Sequence, residues 1–132
     1  MSCILRISGE SLDIDILLSQ CSAPVDRMWR KGEPRVLKGK FHSDSGANFL
    51  ASDADFAEFD NQVVDATEFL EEHASAIAEI IAFPGVQNAV LDFAVAIKNG
   101  YVTQSSYLPP KFLQLAARLG IGVEISHYPC SD

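Results

Sequence analysis

The sequence predicts an α+β fold, a two-layer sandwich with a mostly antiparallel sheet and helices on one face. Three observations carry this. Apolar residues near both ends alternate with period two, the signature of strands with one buried face. Between them, Val63, Thr67, Leu70, Ala74, Ile77 and Ile81 step by four and three, a continuous helical stripe. The alternating strands mostly show one apolar side, which suits an antiparallel sheet covered by helices on that side.

The elements follow in chain order. Residues 3–8 read as a strand, with Cys3, Leu5 and Ile7 on one face and Ile4, Arg6 and Ser8 on the other. After the turn at Gly9, Ser11 is the expected N-cap of a short helix from Leu12 to about Gln20, with Asp13 and Asp15 in its first turn. Residues 25–50 are turn-rich, and short strands are expected at 26–31, 35–41 and 47–51. The striped segment then predicts one long helix, capped by Ser52 or Asp53, with a break near Asp60-Asn61 and a stop at Phe83-Pro84-Gly85.

Residues 88–98 alternate as the clearest strand. Asn99-Gly100 reads as a two-residue hairpin turn, so Tyr101–Ser106 is expected to return antiparallel. Leu108-Pro109-Pro110 opens a helix with apolar positions Phe112, Leu115, Ala116 and Leu119, closed by Gly120. Gly122–Tyr128 is the last strand, with Val123, Ile125 and His127 on one face. The strand–helix–strand echo at each end gives the sandwich a ferredoxin-like character. A chain of 132 residues is expected to form one domain, 1–132.

Composition narrows the function classes. Hydrophobic residues at 48% and charged residues at 21% describe a folded globular chain. No apolar run approaches the ~20 residues that cross a bilayer, and the start lacks a signal peptide's basic and hydrophobic regions. The three cysteines, Cys3, Cys21 and Cys130, are odd in number and widely spaced, unlike a disulfide framework. A cytoplasmic protein without membrane partners is therefore expected. His127 and Cys130 form one H-x-x-C pair, but zinc wants four ligands with tight local pairs, so no metal and no cofactor is expected.

Net charge is −8 and unevenly spread. Residues 41–97 hold eleven acids and no Lys or Arg, whereas the basic cluster from Arg27 to Lys40 also carries Trp29. The negative field of the whole chain repels phosphate backbones, so nucleic acid is not an expected partner.

Three candidate sites emerge. In the block Trp29–Pro34, Trp29, Arg30, Lys31 and Glu33 could line a binding surface around the Gly32-Glu33-Pro34 turn; burial of Trp29 against the sheet is the competing reading. Glu68, Glu71, Glu72 and Glu79 share the exterior of the long helix and could steer or contact a protein partner. Arg6, Asp92 and Glu124 sit on the less apolar side of their strands and would meet if those strands are neighbours. Ala94, Ala96, Ser126 and Tyr128 share that side, where a homodimer contact would also fit. No nucleophile elbow, Walker loop or H-E-x-x-H motif is present. His42, His73 and His127 stand outside any motif, so a catalytic residue is not expected and a hydrolase is the remotest reading.

Several motifs in order extend over nearly the whole chain: Leu5-Arg6-Ile7-Ser8-Gly9, Trp29-Arg30-Lys31-Gly32-Glu33-Pro34, Ser45-Gly46 with Phe49-Leu50-Ala51-Ser52, and Leu115-Ala116-Ala117-Arg118-Leu119-Gly120-Ile121 with Glu124-Ile125-Ser126. In these the chain resembles the uncharacterised bacterial domain-of-unknown-function family DUF4279. It departs where that family often has a second Trp; Ala47-Asn48-Phe49 stands there. The resemblance brings no established activity. Similar small domains occur as immunity-type proteins beside bacterial toxins, an analogy of context. Together these readings suggest a binding protein, an immunity-type protein that neutralises a toxin through its acidic surface. The alternative is a small-molecule or peptide-binding module using the Trp29 turn.

Overall fold

A computed structural model describes residues 1–129. Its elements are β1 (Cys3–Gly9), α1 (Ile14–Ser19), β2 (Arg27–Trp29), β3 (Ser45–Ser52), α2 (Phe59–Glu72), α3 (Ala74–Ala82), β4 (Asn88–Ile97), α4 (Pro110–Leu119) and β5 (Gly122–Pro129). The strands form one open sheet in the order β2-β3-β1-β4-β5. Every pairing is antiparallel except β4 with β5, joined through α4 by a crossover. The fold is α+β, as expected. β1 lies between β3 and β4, with α1, α2 and α3 in the connections, and this part carries the ferredoxin-like character.

The sheet's two faces differ sharply. Leu5 is opposite Phe49 on one side and Leu91 on the other, and all three are fully buried. Leu17 of α1, Val63 and Leu70 of α2, Ile77 of α3 and Phe112 of α4 join the same apolar cluster. Phe93 sits edge-on between Phe59 and Phe112, with ring centroids at 5.3 and 5.7 Å. The alternate residues Ile4, Val90 and Ala94 face the other way, without a helix over them, and are half-buried. No helix among the described residues is long and apolar enough to cross a membrane.

Several local expectations are corrected. Asp13, not Ser11, caps α1; its carboxylate accepts from the Ile16 amide at 3.2 Å. Ser52 and Asp53 do not cap α2, which starts at Phe59. Ser52 ends β3, and its hydroxyl donates to Asp65 at 2.7 Å. The long helix breaks at His73, not at Asp60-Asn61, since His73 leaves the helical region (φ −107°, ψ 19°). The break re-aims α3, so Ile80 is buried where Ile81 was expected, while Ala74 and Ile81 are half-buried. Ala66 and Phe69 widen the buried face of α2.

Residues 35–41 do not form a strand. They belong to an irregular hairpin held by Gly32 N to His42 O (2.8 Å), His42 N to Glu33 O (2.9 Å), Arg35 N to Lys40 O (2.9 Å) and a bridge between Pro34 and Phe41. The strand expected at 26–31 shortens to β2, and that at 47–51 lengthens to β3.

Gly100 takes the left-handed conformation expected of the turn (φ 79°), but Tyr101–Ser106 does not return as a strand. Both edges of β4 are already taken. β5 pairs along one edge; β1 pairs along the other, continued by the carbonyls of Ser2 and Phe56, which accept from Ala94 and Ala96. The side chain of Gln104 closes the turn instead, accepting from Lys98 N at 2.8 Å and donating to Ala96 O at 2.9 Å.

Candidate functional site

The open face of the sheet is organised in rows by strand register. Arg27 lies opposite Asn48, Asn48 opposite Arg6, and Arg6 opposite Val90. In the neighbouring row Trp29 lies opposite Gly46, and Gly46 opposite Ser8. Trp29 lies flat over Gly46: a Cβ there would come within 2.5 Å of the indole and 2.4 Å of the Ile7 carbonyl. The indole N–H donates to Asp44 at 3.0 Å, and His42 stacks on the ring at 5.7 Å between centroids. Trp29 is half-buried and forms a fixed wall.

The rest of the Trp29 block has other roles. Arg30 grips Asp15 of α1 with two donors, at 2.9 and 2.7 Å. Hydrogen bonding to Arg30 holds the Asp15 carboxyl below its ordinary range, and the same pair raises Arg30. Glu33 accepts from the Arg30 amide at 2.9 Å and shapes the turn. Lys31 ties in through its backbone, which donates to the Ser45 hydroxyl at 2.9 Å, and its side chain is exposed. Arg30 and Glu33 are therefore engaged with the protein itself, and Trp29 is the member of the block that lines a cavity.

That cavity has a volume of about 400 Å³ and lies between the open sheet face and the hairpin. Arg6, Arg27 and Arg35 line it, with Ser8, His42, Ser43, Asn48 and the Asp44 carboxylate that holds the Trp29 indole; Val36 and Leu37 of the hairpin complete the lining. Among the described residues, neither Arg27 nor Arg35 has a carboxylate within ion-pair distance. Asn48 Oδ1 is closed to solvent and has no hydrogen-bond partner among the described residues. Sequence reasoning missed Arg27, Arg35 and Asn48. The alternation Arg27-x-Trp29 signals that the two share a face, but only the strand order β2-β3-β1 sets Arg27 and Arg6 on either side of Asn48.

Arg6, Asp92 and Glu124 do meet. Arg6 reaches Asp92 at 3.2 Å and Glu124 at 2.8 Å, and the Ser126 hydroxyl donates to Asp92 at 2.7 Å. Burial pulls the Arg6 pKa down, but hydrogen bonds to Glu124 and Asp92 outweigh it and raise the pKa. Farther along the face, the Phe56 ring packs on Tyr128 at 5.9 Å between centroids, and the Phe56 carbonyl accepts from Ala96 N at 3.0 Å.

The acidic residues sit outside this face. Glu68, Glu71 and Glu72 are exposed on α2, whereas the break at His73 puts Glu79 on α3, beside a separate recess against α1. Glu71 pairs with Lys111 at 3.5 Å, and Glu72 stands 3.9 Å from His73. His73 is half-buried against Phe69, with rings 5.0 Å apart.

Among the described residues no three His, Cys, Asp or Glu side chains are grouped to hold a metal ion. Burial, reinforced by Asp92 and Asp65, pushes the Cys3 thiol far up, which leaves it protonated and a poor ligand. His127 is exposed on β5, and Cys130 of the H-x-x-C pair lies outside the described residues.

No curated protein and no solved structure matches the chain. The family described as a domain of unknown function, DUF4279, matches residues 1–129, so the chain belongs to that family.

Proposed function

We propose that the protein is a binding module that holds an anionic small molecule or peptide terminus in the arginine-lined cavity beside Trp29. One observation carries this reading: Arg27 and Arg35 line a cavity of about 400 Å³ and, among the described residues, have no carboxylate within ion-pair distance, in a chain rich in acids. Arg6, on the same cavity, pairs with Asp92 and Glu124, and Arg30 pairs with Asp15. Two unpaired guanidinium forks suit a carboxylate or phosphate, which they bind bidentately. Trp29 supplies a rigid wall, and Ser8 and Ser43 supply hydroxyls that adapt as donor or acceptor. The proposal assigns no catalytic residue and places the protein in the cytoplasm.

The test is calorimetric titration with inorganic phosphate, glycerol 3-phosphate and N-acetyl amino acids. At least one is expected to bind saturably, and Arg27→Gln with Arg35→Gln to weaken it by about tenfold or more at unchanged Tm. Binding by none of them, or equal binding by the double variant, overturns the reading.

A second reading keeps the immunity-type role, with a protein partner on the acidic helices. It is favoured by Val64, an apolar side chain 54% exposed on α2 beside a concavity that Glu68 and Glu71 rim. An exposed apolar spot inside a charged field has the layout of a steered protein contact.

A further inference from the structure

The hairpin over the open face ends in an unusual apex. Val36 is 88% exposed and Leu37 65% exposed, and Phe41, across the bridge from Pro34, is 61% exposed. Arg35, Lys38 and Lys40 surround them, and no acid lies between residues 34 and 43. Lys40 N bonds Leu37 O at 3.1 Å and Gly39 takes φ 79°, so Val36 and Leu37 stand at the turn itself, on the rim of the cavity. Asp15 and Glu33 share the Arg30 guanidinium, and Asp44, which accepts from the Trp29 indole, keeps its charge; from Arg27 to Asp44 six Lys and Arg face two acids. Most of the remaining acids lie on or beside α2 and α3, beneath the opposite sheet face. A layer spacing of roughly 10 Å exceeds the ~8 Å screening length, so at the tip the local positive charge prevails over the net charge.

We infer that this hairpin docks the protein on an anionic lipid surface, with Val36 and Leu37 entering the bilayer interface and the arginines of the adjacent cavity taking a lipid phosphate. The inference rests on the anion-binding reading of that cavity. The tip's charge and apolar make-up decides for lipid over a folded partner. Exposed apolar side chains ringed by cations, beside an arginine-lined cavity, match a soft boundary whose apolar phase lies just beneath its phosphates, where apolar side chains penetrate ~5–10 Å. A protein partner would need a deep, acid-rimmed groove of matching form. The lack of a membrane partner was expected because no segment spans a bilayer; a surface contact through a hairpin needs no span.

The test is co-sedimentation of the full chain with vesicles of phosphatidylcholine alone, or with about one quarter phosphatidylglycerol, alongside calorimetry with glycerol 3-phosphate. Binding is expected only with phosphatidylglycerol and to fall steeply with added salt. Val36→Ser with Leu37→Ser is expected to lower partitioning by about tenfold or more, because two buried apolar side chains are lost. This variant should keep its Tm, since both side chains are exposed; Phe41→Ser, at an exposed side chain outside the cavity lining, should also lower partitioning while leaving glycerol 3-phosphate binding unchanged. Arg27→Gln with Arg35→Gln is expected to weaken both. Glycerol 3-phosphate binding without vesicle binding overturns the lipid inference and leaves the cavity reading standing; failure of both, with no other anion bound, overturns both. Unchanged vesicle binding by the tip variant also overturns the inference. So do equal binding to neutral vesicles, a dimer that the tip variant dissociates, and poly-glutamate binding as tight as vesicle binding.

Discussion

The two faces of the sheet are built from the same strands, yet they are held and used differently. On the covered face Leu5, Phe49, Leu91 and Phe93 are fully buried against four helices, and the interactions there are non-directional. On the open face the alternate positions hold Arg6, Asn48, Asp92 and Glu124, and order comes from directed contacts such as Arg6 to Glu124 at 2.8 Å. Stability is concentrated on the first face, and the polar cavity beside Trp29 lies on the second. The charges divide in part likewise: most acids lie on or beside α2 and α3, and Arg27 and Arg35, without an ion pair among the described residues, lie at the hairpin.

The largest effect that probes this contrast lies in the core. Leu70→Ala or Ile77→Ala is expected to cost ~2–5 kcal/mol, because both side chains are completely buried and leave cavities. Val90→Ala on the open face, half-buried beside Arg6, should cost under ~1.5 kcal/mol. Chemical denaturation measures both, and equal losses would erase the distinction between the faces.

The covered face was legible in the sequence because burial leaves a period. β1, β4 and α4 follow the alternation or the helical stripe, and Gly120 ends α4 in the left-handed region as expected of a C-cap. The break at His73 was not legible: its neighbours continue the apolar stripe, and the redirection arises in packing. Nor was the hairpin. Its backbone bonds join residues such as Gly32 and His42 that carry no strand pattern, and Gln104 does with a side chain what a strand was expected to do. On the open face the Arg6–Asp92–Glu124 cluster could be read from alternation. The Arg27–Asn48–Arg6 row could not, since it depends on which strands are neighbours.

A smaller effect concerns pH at the base of the hairpin. Arg30 lowers the Asp15 pKa in the folded state, so the pair's stabilisation is present above the usual carboxylate range and is lost as pH falls through the lowered value. Arg30→Gln removes that dependence. The variant should show a small Tm deficit at neutral pH that closes on acidification below about pH 4. A deficit independent of pH would mean that Arg30 acts by packing and not through the ion pair.

The smallest effect on stability, and the sharpest on the division of roles, comes from reversing the acidic face. Glu68, Glu71 and Glu72 are exposed on α2, and Lys111 is the cation near Glu71, at 3.5 Å. Exposed ion pairs of this kind contribute ~0–1 kcal/mol, so Glu68→Lys, Glu71→Lys and Glu72→Lys together should change folding stability only slightly. Their effect on the field is large, because three reversals change the net charge by six. If the helices steer a basic protein partner, the triple variant should associate with it more slowly at low salt, and the difference should vanish as salt rises. Anion binding in the cavity, across the sheet, should be unchanged or modestly strengthened. Association at the wild-type rate at low ionic strength would reduce the acidic helices to a solubility feature and leave the open face as the sole recognition surface of the two. Slowed association with intact anion binding would instead mean that the sheet separates two independent sites, one for a protein and one for an anion.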